Sequence, residues 1–358
     1  MKKKVLHIVE SFASGVFSFL VDLVNSTDND YEIVIAYGER RETQENFKDY
    51  FNKDVKFIKV ENFTRSINPI KDIKAFFEIK KIIKEENPDI IHLHSSKAGF
   101  IGRFAASGKN RRMLYNPHGF SFLMQDSSKI KRTIYLIIEK IAAFRKCIIV
   151  GCSKGEYKEA LKLTSNSICI NNGIDLESMK KNTKDIQERD INYNNLRICT
   201  LGRIGNQKNP KLYNEIARSF PKNDFTWIGD GELKSLLTSD NIYVTGWKNK
   251  SEVLNILSEN DIFILTSLWE GLPISLLEAM YMKKICIVNN CIGNRDVIDG
   301  TNGIVCNNLE DFKEAIENIQ RQKINVENMI DKAKDDINNI YNTENMVKAY
   351  KELYESKK

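Results

Sequence analysis

Short, continuous runs of β-branched and apolar residues alternate with helical patterns along nearly the whole chain, and one polar stretch divides the alternation in two. The first series has strand-like runs at Val5–Val9, Ile33–Tyr37, Val55–Val60, Ile90–His94, Met113–Tyr115, Cys147–Gly151 and Ile168–Asn171. The second has them at Leu196–Leu201, Phe225–Ile228, Ile242–Thr245, Ile262–Thr266, Ile285–Val288 and Gly303–Cys306. Runs of this kind suit strands covered on both faces, as in parallel sheets. The clearest intervening helix is Ile70–Glu86, with apolar residues at 73, 76, 77, 79, 82 and 83. It stops before Asn87-Pro88, because the residue ahead of a proline avoids helical backbone. A strand-helix-strand order repeated in this way predicts α/β architecture with a doubly wound sheet in each half.

A chain of 358 residues exceeds what one hydrophobic core usually serves. The reading is a first Rossmann-like domain over 1–179, a polar linker over 180–195, a second Rossmann-like domain over 196–340, and a helix over 341–358 packing back on the first domain. The tail from Ile324 is helical in composition, with apolar residues at 329, 337, 340, 346, 350 and 353. Two such domains in tandem leave a cleft between them, and ligands of these sheets bind outside the carboxyl ends of the strands.

No apolar stretch approaches the roughly 20 residues that span a bilayer. After Met1-Lys2-Lys3-Lys4 only Val5–Val9 is apolar, too short for a signal peptide core, so a cytoplasmic protein is expected. The seven cysteines contain no C-x-x-C pair and read as reduced core residues; neither they nor the four histidines show metal-ligand spacing. Charge is asymmetric: residues 1–180 carry 30 basic and 22 acidic side chains, whereas 181–358 carry 24 and 26. Within 91–148, eleven Lys/Arg face only Asp126 and Glu139, and this surplus points at an anionic surface or ligand.

The strongest local motif is Thr266-Ser-Leu-Trp-Glu-Gly-Leu-Pro-Ile-Ser-Leu-Leu-Glu-Ala-Met280. A strand ends at Thr266, Gly271 turns the chain, and Pro273 suits the first position of a helix, whose N-terminus then faces the ligand. Glu270 and Glu278, eight apart, would lie about 12 Å apart along one helix, too far for a hydrolytic acid/base pair. They could each accept hydroxyl hydrogen bonds from one extended polyhydroxylated ligand. At the start of the second domain, Gly202-Arg-Ile-Gly-Asn-Gln-Lys-Asn-Pro210 follows a strand and precedes a helix capped by Asn209. Arg203 and Lys208 suit a diphosphate, while the missing G-x-G-x-x-G pattern disfavours a nicotinamide cofactor.

In Asn116-Pro-His-Gly-Phe120, Pro117 and Gly119 fix the backbone around His118. That imidazole is open to three roles: general base, neutral hydrogen-bond donor, or part of a structural turn. Gly15 opens a helix after the first strand and would admit a ligand phosphate. His92 and His94 share one strand face, followed by Ser95, Ser96 and Lys97 at a helix start, where acceptor binding and helix capping compete. Asp28-Asn29-Asp30 has the D-x-D form of a metal-binding turn but precedes a strand, opposite the expected ligand edge, and reads as a solvated turn.

Taken together, these motifs resemble family 4 of the retaining glycosyltransferases, which have the GT-B fold of two facing Rossmann-like domains. The resemblance covers most of the chain and runs in the family's order through Gly15, residues 94–97, 117–119, Asn172-Gly-Ile-Asp175, 202–209 and 270–278. The stretches 92–102 and 115–122 look most like bacterial transferases of capsular, exopolysaccharide and lipid-linked glycan assembly. It implies that Arg203 and Lys208 hold the donor diphosphate, that Glu278 binds the ribose, and that Glu270 with Gly271, Leu272, Pro273 and Ile274 engages the transferred sugar. It further implies that His118 touches the sugar or the acceptor, with His94, Ser95 and Lys97 on the acceptor side. A nucleotide-sugar donor, UDP-linked, a lipid-diphosphate acceptor, retention at the anomeric carbon, and no metal or cofactor are implied in the same way. Ser14-Gly15 departs from the paired glycines of many members.

With such an acceptor, the basic segment 91–148 is expected to meet an anionic membrane surface, Lys129–Lys146 forming a helix with basic and apolar faces at the inner leaflet. Two other readings of the fold are a nucleotide-sugar 2-epimerase and a non-catalytic subunit. Nucleic-acid binding is disfavoured by the acidic second half.

Overall fold

Val5, Leu6, Ile8 and Val9 have no solvent exposure, which explains why the first strand reads as an unbroken apolar run. The structure, a computed structural model, describes residues 2–40, 43, 45–64, 66–106, 111–187 and 189–356. The chain forms two units, one of Met1–Leu123, Ser127–Asn172 and Thr343–Lys358, the other of Met124–Asp126 and Gly173–Asn342.

The first unit is built on strands β1 (Lys3–Val9), β2 (Tyr31–Tyr37), β3 (Lys56–Lys59), β4 (Ile90–His94), β5 (Arg112–Asn116), β6 (Ile148–Gly151) and β7 (Ser167–Cys169). They pair in the order β3-β2-β1-β4-β5-β6-β7, all parallel. The order reverses between β1 and β4, where His7 lies beside His92 and Val9 beside His94. Helices α1 (Ser14–Asn25), α2 (Pro69–Glu86), α3 (Ser96–Ala105), α4 (Lys129–Ala143) and α5 (Lys154–Leu161) make the crossovers. Alternate β1 residues serve different cores: Val5 and Val9 pack with α1 residues such as Phe19 and Leu20, Leu6 and Ile8 with α2 and α3 residues such as Ile79 and Ile101.

The second unit holds α6 (Leu176–Thr183), β8 (Arg197–Leu201), α7 (Pro210–Ser219), β9 (Asp224–Ile228), β10 (Ile242–Val244), α8 (Lys250–Ser258) and β11 (Ile262–Leu265). It continues with α9 (Ile274–Tyr281), β12 (Ile285–Asn289), α10 (Asn294–Val297), β13 (Ile304–Cys306), α11 (Leu309–Gln320) and α12 (Val326–Asn339). Its parallel sheet runs β10-β9-β8-β11-β12-β13, reversing between β8 and β11. The core gathers Trp227, Ile264, Ile287 and Phe312 from the sheet and its flanking helices.

The helical tail divides at Ile340-Tyr341-Asn342: α12 stays in the second unit, while α13 (Thr343–Glu355) places Met346, Tyr350 and Tyr354 in the first unit's core. Apart from the short excursion at Met124–Asp126, the chain leaves the first unit at Asn172/Gly173, not at 179. The polar stretch 180–195 begins inside α6, which Asp175 caps, and ends with Ile191 and Tyr193 packed on the second core. Its few apolar residues are enough to anchor it. The D-x-D turn lies at the amino end of β2, with Asp30 paired to Lys351 of α13.

Candidate functional site

In the second unit the loops that leave β8 and β11 are neighbours, because those strands pair in parallel at the point of reversal. Gly202, just after β8, has φ +141°, and a Cβ there would lie 2.8 Å from Lys208 Cε, so glycine is needed for the lysine side chain to fold over the strand end. The loop makes one short turn over Asn206–Lys208 and then enters α7 through Asn209, whose side chain caps Leu212 N, and Pro210.

Several bonds stitch this loop to the one after β11. Thr266 Oγ1 donates to the Lys208 carbonyl at 2.6 Å, and Leu268 N donates to the Gln207 carbonyl at 2.8 Å. Gln207 Nε2 reaches the Trp269 carbonyl at 3.0 Å and Glu270 Oε2 at 3.3 Å. Lys208 Nζ lies 2.8 Å from Glu270 Oε1, and both side chains are largely withdrawn from solvent. Gly293 (φ +87°) backs the carboxylate: a Cβ there would stand 2.5 Å from the Gly271 carbonyl and 2.9 Å from Glu270 Cβ. Burial, with the Glu270 charge next in weight, pushes the nearby Cys291 thiol up to about 12, so it is an inert wall.

Glu270 and Glu278 do not share a helix. Glu270 stands in the loop, and Pro273, expected as the first helical residue, is instead the extended residue ahead of α9, while Glu278 lies within α9 and is buried against Lys250. Arg203 is 4.0 Å from Glu232. The ion pair thus joins Lys208 to Glu270, and Glu278 sits on the adjoining helix. Sequence reasoning missed Gln207, Lys250 and Gly293. Gln207 adjoins a motif residue, whereas nothing in the sequence ties Lys250 to Glu278.

In the first unit the expected residues collect beyond the carboxyl ends of β1, β4 and β5. Gly15 is exposed at the start of α1, with open space where a Cβ would stand. Ser95 has φ +73° and donates its N–H to the Asn116 carbonyl at 3.0 Å, tying the β4 end to β5. His118 is half-buried with φ +52°, an uncommon backbone for a side-chain-bearing residue and one that turns its ring inward. Its Nε2 is 3.1 Å from Nδ1 of His94, and Phe19 packs edge-on at 4.8 Å.

His94 and Lys97 are occupied inside the protein. His94 has no exposed surface, and its Nε2 lies 3.0 Å from Nδ1 of His7. Lys97 Nζ binds Asp72 at 2.8 Å and the Ser66 carbonyl at 2.6 Å, holding the start of α2. All four imidazoles are pushed down by burial: His92 to about 4, His118 to about 3, His7 and His94 well below the usual value. They are neutral at physiological pH.

The fold also assembles what sequence spacing did not reveal, since one nitrogen each of His7, His92 and His94 falls within a 4.8 Å group. His7 and His94 stack at 21° and already share a hydrogen bond, so the set is better described as a bonded chain than as lone pairs converging on one ion.

The basic segment 91–148 is not one continuous surface. Arg103 is fully buried, 2.6 Å from Glu139; Arg112 binds the Leu353 carbonyl and Ser356; and Arg111 binds the Pro88 carbonyl. Lys109 lies outside the described residues. What does project is α4 with the turn that follows it: Ile130, Ile134, Ile137, Ile141 and Phe144 form an exposed stripe, Phe144 89% exposed, beside Lys129, Lys131, Lys140 and Lys146. Among the described residues no helix is long and apolar enough to cross a membrane.

Comparison with known proteins gives the family and the fold. The family model for Glycosyltransferase Family 4 matches residues 13–178, and that for glycosyl transferases group 1 matches residues 181–336. The chain is 30% identical over 338 residues, 86% of its length and 85% of the relative's, to the UDP-Gal:alpha-D-GlcNAc-diphosphoundecaprenol alpha-1,3-galactosyltransferase of Escherichia coli. The chain belongs to glycosyltransferase family 4. This glycosyltransferase is also 25% identical over 304 residues, 78% of its chain and 79% of the relative's, to the N,N'-diacetylbacillosaminyl-diphospho-undecaprenol alpha-1,3-N-acetylgalactosaminyltransferase of Campylobacter jejuni. Its GT-B fold is that of sucrose-phosphate synthase from Thermosynechococcus elongatus, with a TM-score of 0.78 at 13% identity, covering 98% of both chains.

Proposed function

We propose that this glycosyltransferase moves a sugar from a UDP-linked donor to a lipid-diphosphate-linked acceptor in bacterial surface polysaccharide synthesis, with retention at the anomeric carbon and without a metal. The observation that carries the reading is the Lys208–Glu270 pair at the β8/β11 reversal, with Arg203 in the same loop. A departing nucleoside diphosphate gains negative charge, and preorganised cations in a dry site stabilise it most. Arg203 and Lys208 supply that charge from side chains, which is the part a divalent ion plays in other transferases.

Glu270 is held in place by Lys208 and Gln207, an arrangement suited to accepting a sugar hydroxyl hydrogen bond rather than to attacking carbon. The mechanism that follows is same-face attack, in which the donor phosphate takes the acceptor proton and no protein nucleophile forms. The alpha linkages named for the two relatives support retention, the diphosphoundecaprenol in both names supports the acceptor class, and the UDP-Gal in the name of the Escherichia coli relative supports the donor class. Glu278 binds the ribose. In the first unit, Gly15, Ser95 and His118 make the direct contacts, whereas His94 and Lys97, engaged within the fold, shape the acceptor side behind them.

An anionic inner-leaflet surface is the partner of α4. Its apolar stripe and flanking lysines match the interfacial helix pattern, with each cation near an anionic surface adding about 1 kcal/mol.

The test is thermal stabilisation by UDP, GDP, ADP and their sugars without added metal, in wild type, Glu278→Ala and Lys208→Ala. A shift confined to the uridine series and lost in both variants is expected. No shift with any nucleotide, in the presence of anionic lipid as well, moves the assignment to a non-catalytic subunit.

A further inference from the structure

The four histidines of this chain, far apart in sequence, meet on the α1/α13 face of the first sheet, and their hydrogen bonds have a direction that can be worked out. Asn116 sets the first term. Its Nδ2 donates to the Tyr350 hydroxyl at 2.6 Å, so its Oδ1 accepts from His92 Nε2, also at 2.6 Å. His92 therefore carries its proton on Nε2, and its bare Nδ1 accepts from the Tyr354 hydroxyl at 2.8 Å. This ring is locked by α13 and takes no part in the chain beside it, although its centroid is only 4.2 Å from that of His94.

The second chain runs His7 Nδ1 to His94 Nε2 at 3.0 Å, then His94 Nδ1 to His118 Nε2 at 3.1 Å. A neutral imidazole has one proton, so the two bonds must point the same way, outward from His7 or inward toward it. The far end decides which. His7 Nε2 is buried and has no partner among the described residues. If the chain ran inward, that nitrogen would carry an N–H with no acceptor; if it runs outward, the nitrogen is a bare lone pair. Buried donors without an acceptor are the rarer and costlier case. The protons then sit on Nδ1 of His7, Nδ1 of His94 and Nδ1 of His118. No described residue bonds Nδ1 of His118, the one histidine of the four that is not fully buried.

We propose that His7 and His94 are positioning residues that fix His118 as a neutral hydrogen-bond donor through Nδ1 toward a hydroxyl or phosphate oxygen of the ligand, and so exclude it as a general base. Burial resists protonation of every ring in the chain, which keeps the direction from being lost to an imidazolium. The left-handed backbone of His118 and the edge-on Phe19 fix the ring plane. The ligand's identity rests on the reading under Proposed function; the direction of the chain does not.

The experiment is nitrogen-detected NMR of histidine-labelled, ligand-free full-length protein between pH 6 and 8, assigned with single variants. Expected are protons on Nδ1 for His7, His94 and His118 and on Nε2 for His92. A bare Nδ1 at His118, or an imidazolium there, overturns the proposal. His94→Leu should turn His118 into a mixture of tautomers and lower kcat about tenfold, with UDP affinity unchanged. His94→Asn, whose amide nitrogen falls where Nδ1 stood, should restore both. A folded His94→Leu protein with a single His118 tautomer and full turnover, or a folded His94→Asn that rescues neither readout, also overturns it. Failure of the wild type to bind any nucleotide sugar would overturn the functional reading alone, since the tautomers are read without ligand.

Discussion

Lys208 and Glu270 lie 62 positions apart in sequence and 2.8 Å apart in space, each from a loop at the carboxyl end of its strand. The pair is largely dry, so removing one partner strands the other. Lys208→Ala should cost about 3 kcal/mol in urea unfolding, and Lys208→Met with Glu270→Gln should recover most of it. Diphosphate affinity should stay lost in both, which separates the structural part of the pair from its work on the ligand.

Glu278 behaves differently, because its partner Lys250 is 41% exposed. Glu278→Ala should change stability by less than about 1 kcal/mol. Nucleotide affinity, measured by calorimetry, should fall at least about tenfold through loss of charge-assisted hydrogen bonds to the ribose. Equal losses with a nucleotide and with pyrophosphate would remove Glu278 from the ribose.

Buried neutral histidines give the protein an acid weakness above the carboxylate range. His92 is held at about 4 and His118 at about 3 by burial, His7 and His94 lie well below the ordinary 6.5, and the unfolded chain binds those protons first. Stability is therefore full above 6.5 and falls as pH drops toward 4, by up to about 1.4 kcal/mol per pH unit for each ring. Denaturant melts at pH 7 and pH 5 measure it. His92→Gln, which cannot titrate, should flatten the slope, and an unchanged slope would mean the ring is already charged in the fold.

Arg103 and Glu139 form a buried pair between α3 and α4, with Tyr115 Oη donating to the same carboxylate at 2.7 Å. Arg103→Met should cost roughly 3 to 5 kcal/mol, and Arg103→Met with Glu139→Met much less. Nucleotide affinity in the folded double variant should match wild type.

Projection of α4 can be read on vesicles. Ile134→Ser with Ile137→Ser and Ile141→Ser should weaken binding to phosphatidylglycerol vesicles at least about tenfold, and Lys129→Glu with Lys131→Glu should make the residue of binding insensitive to salt. Wild-type protein that stays in the supernatant with such vesicles ends the idea.

Much of this molecule was legible in one dimension. The alternation of unbroken apolar runs with helical stretches placed almost every strand within a residue or two, because strands buried on both faces leave no polar positions to blur them. The loops after β1, β4, β5, β8 and β11 were also found, since glycine, proline and capping residues mark them and the parallel topology collects them at the points of strand reversal. Side-chain partnership was not legible. Glu278 meets Lys250, Lys97 meets Asp72, and half the basic surplus is turned inward, all through contacts that depend on which helix packs where. The histidine chain is the clearest case. Sequence showed that His92 and His94 share a strand face, but their neighbours come from elsewhere, His7 from within β1 and His118 from the turn after β5, and the proton order follows from a buried nitrogen that no described residue partners in the folded core. Local propensity and burial pattern are properties of a segment; a hydrogen-bond direction belongs to the whole packed unit.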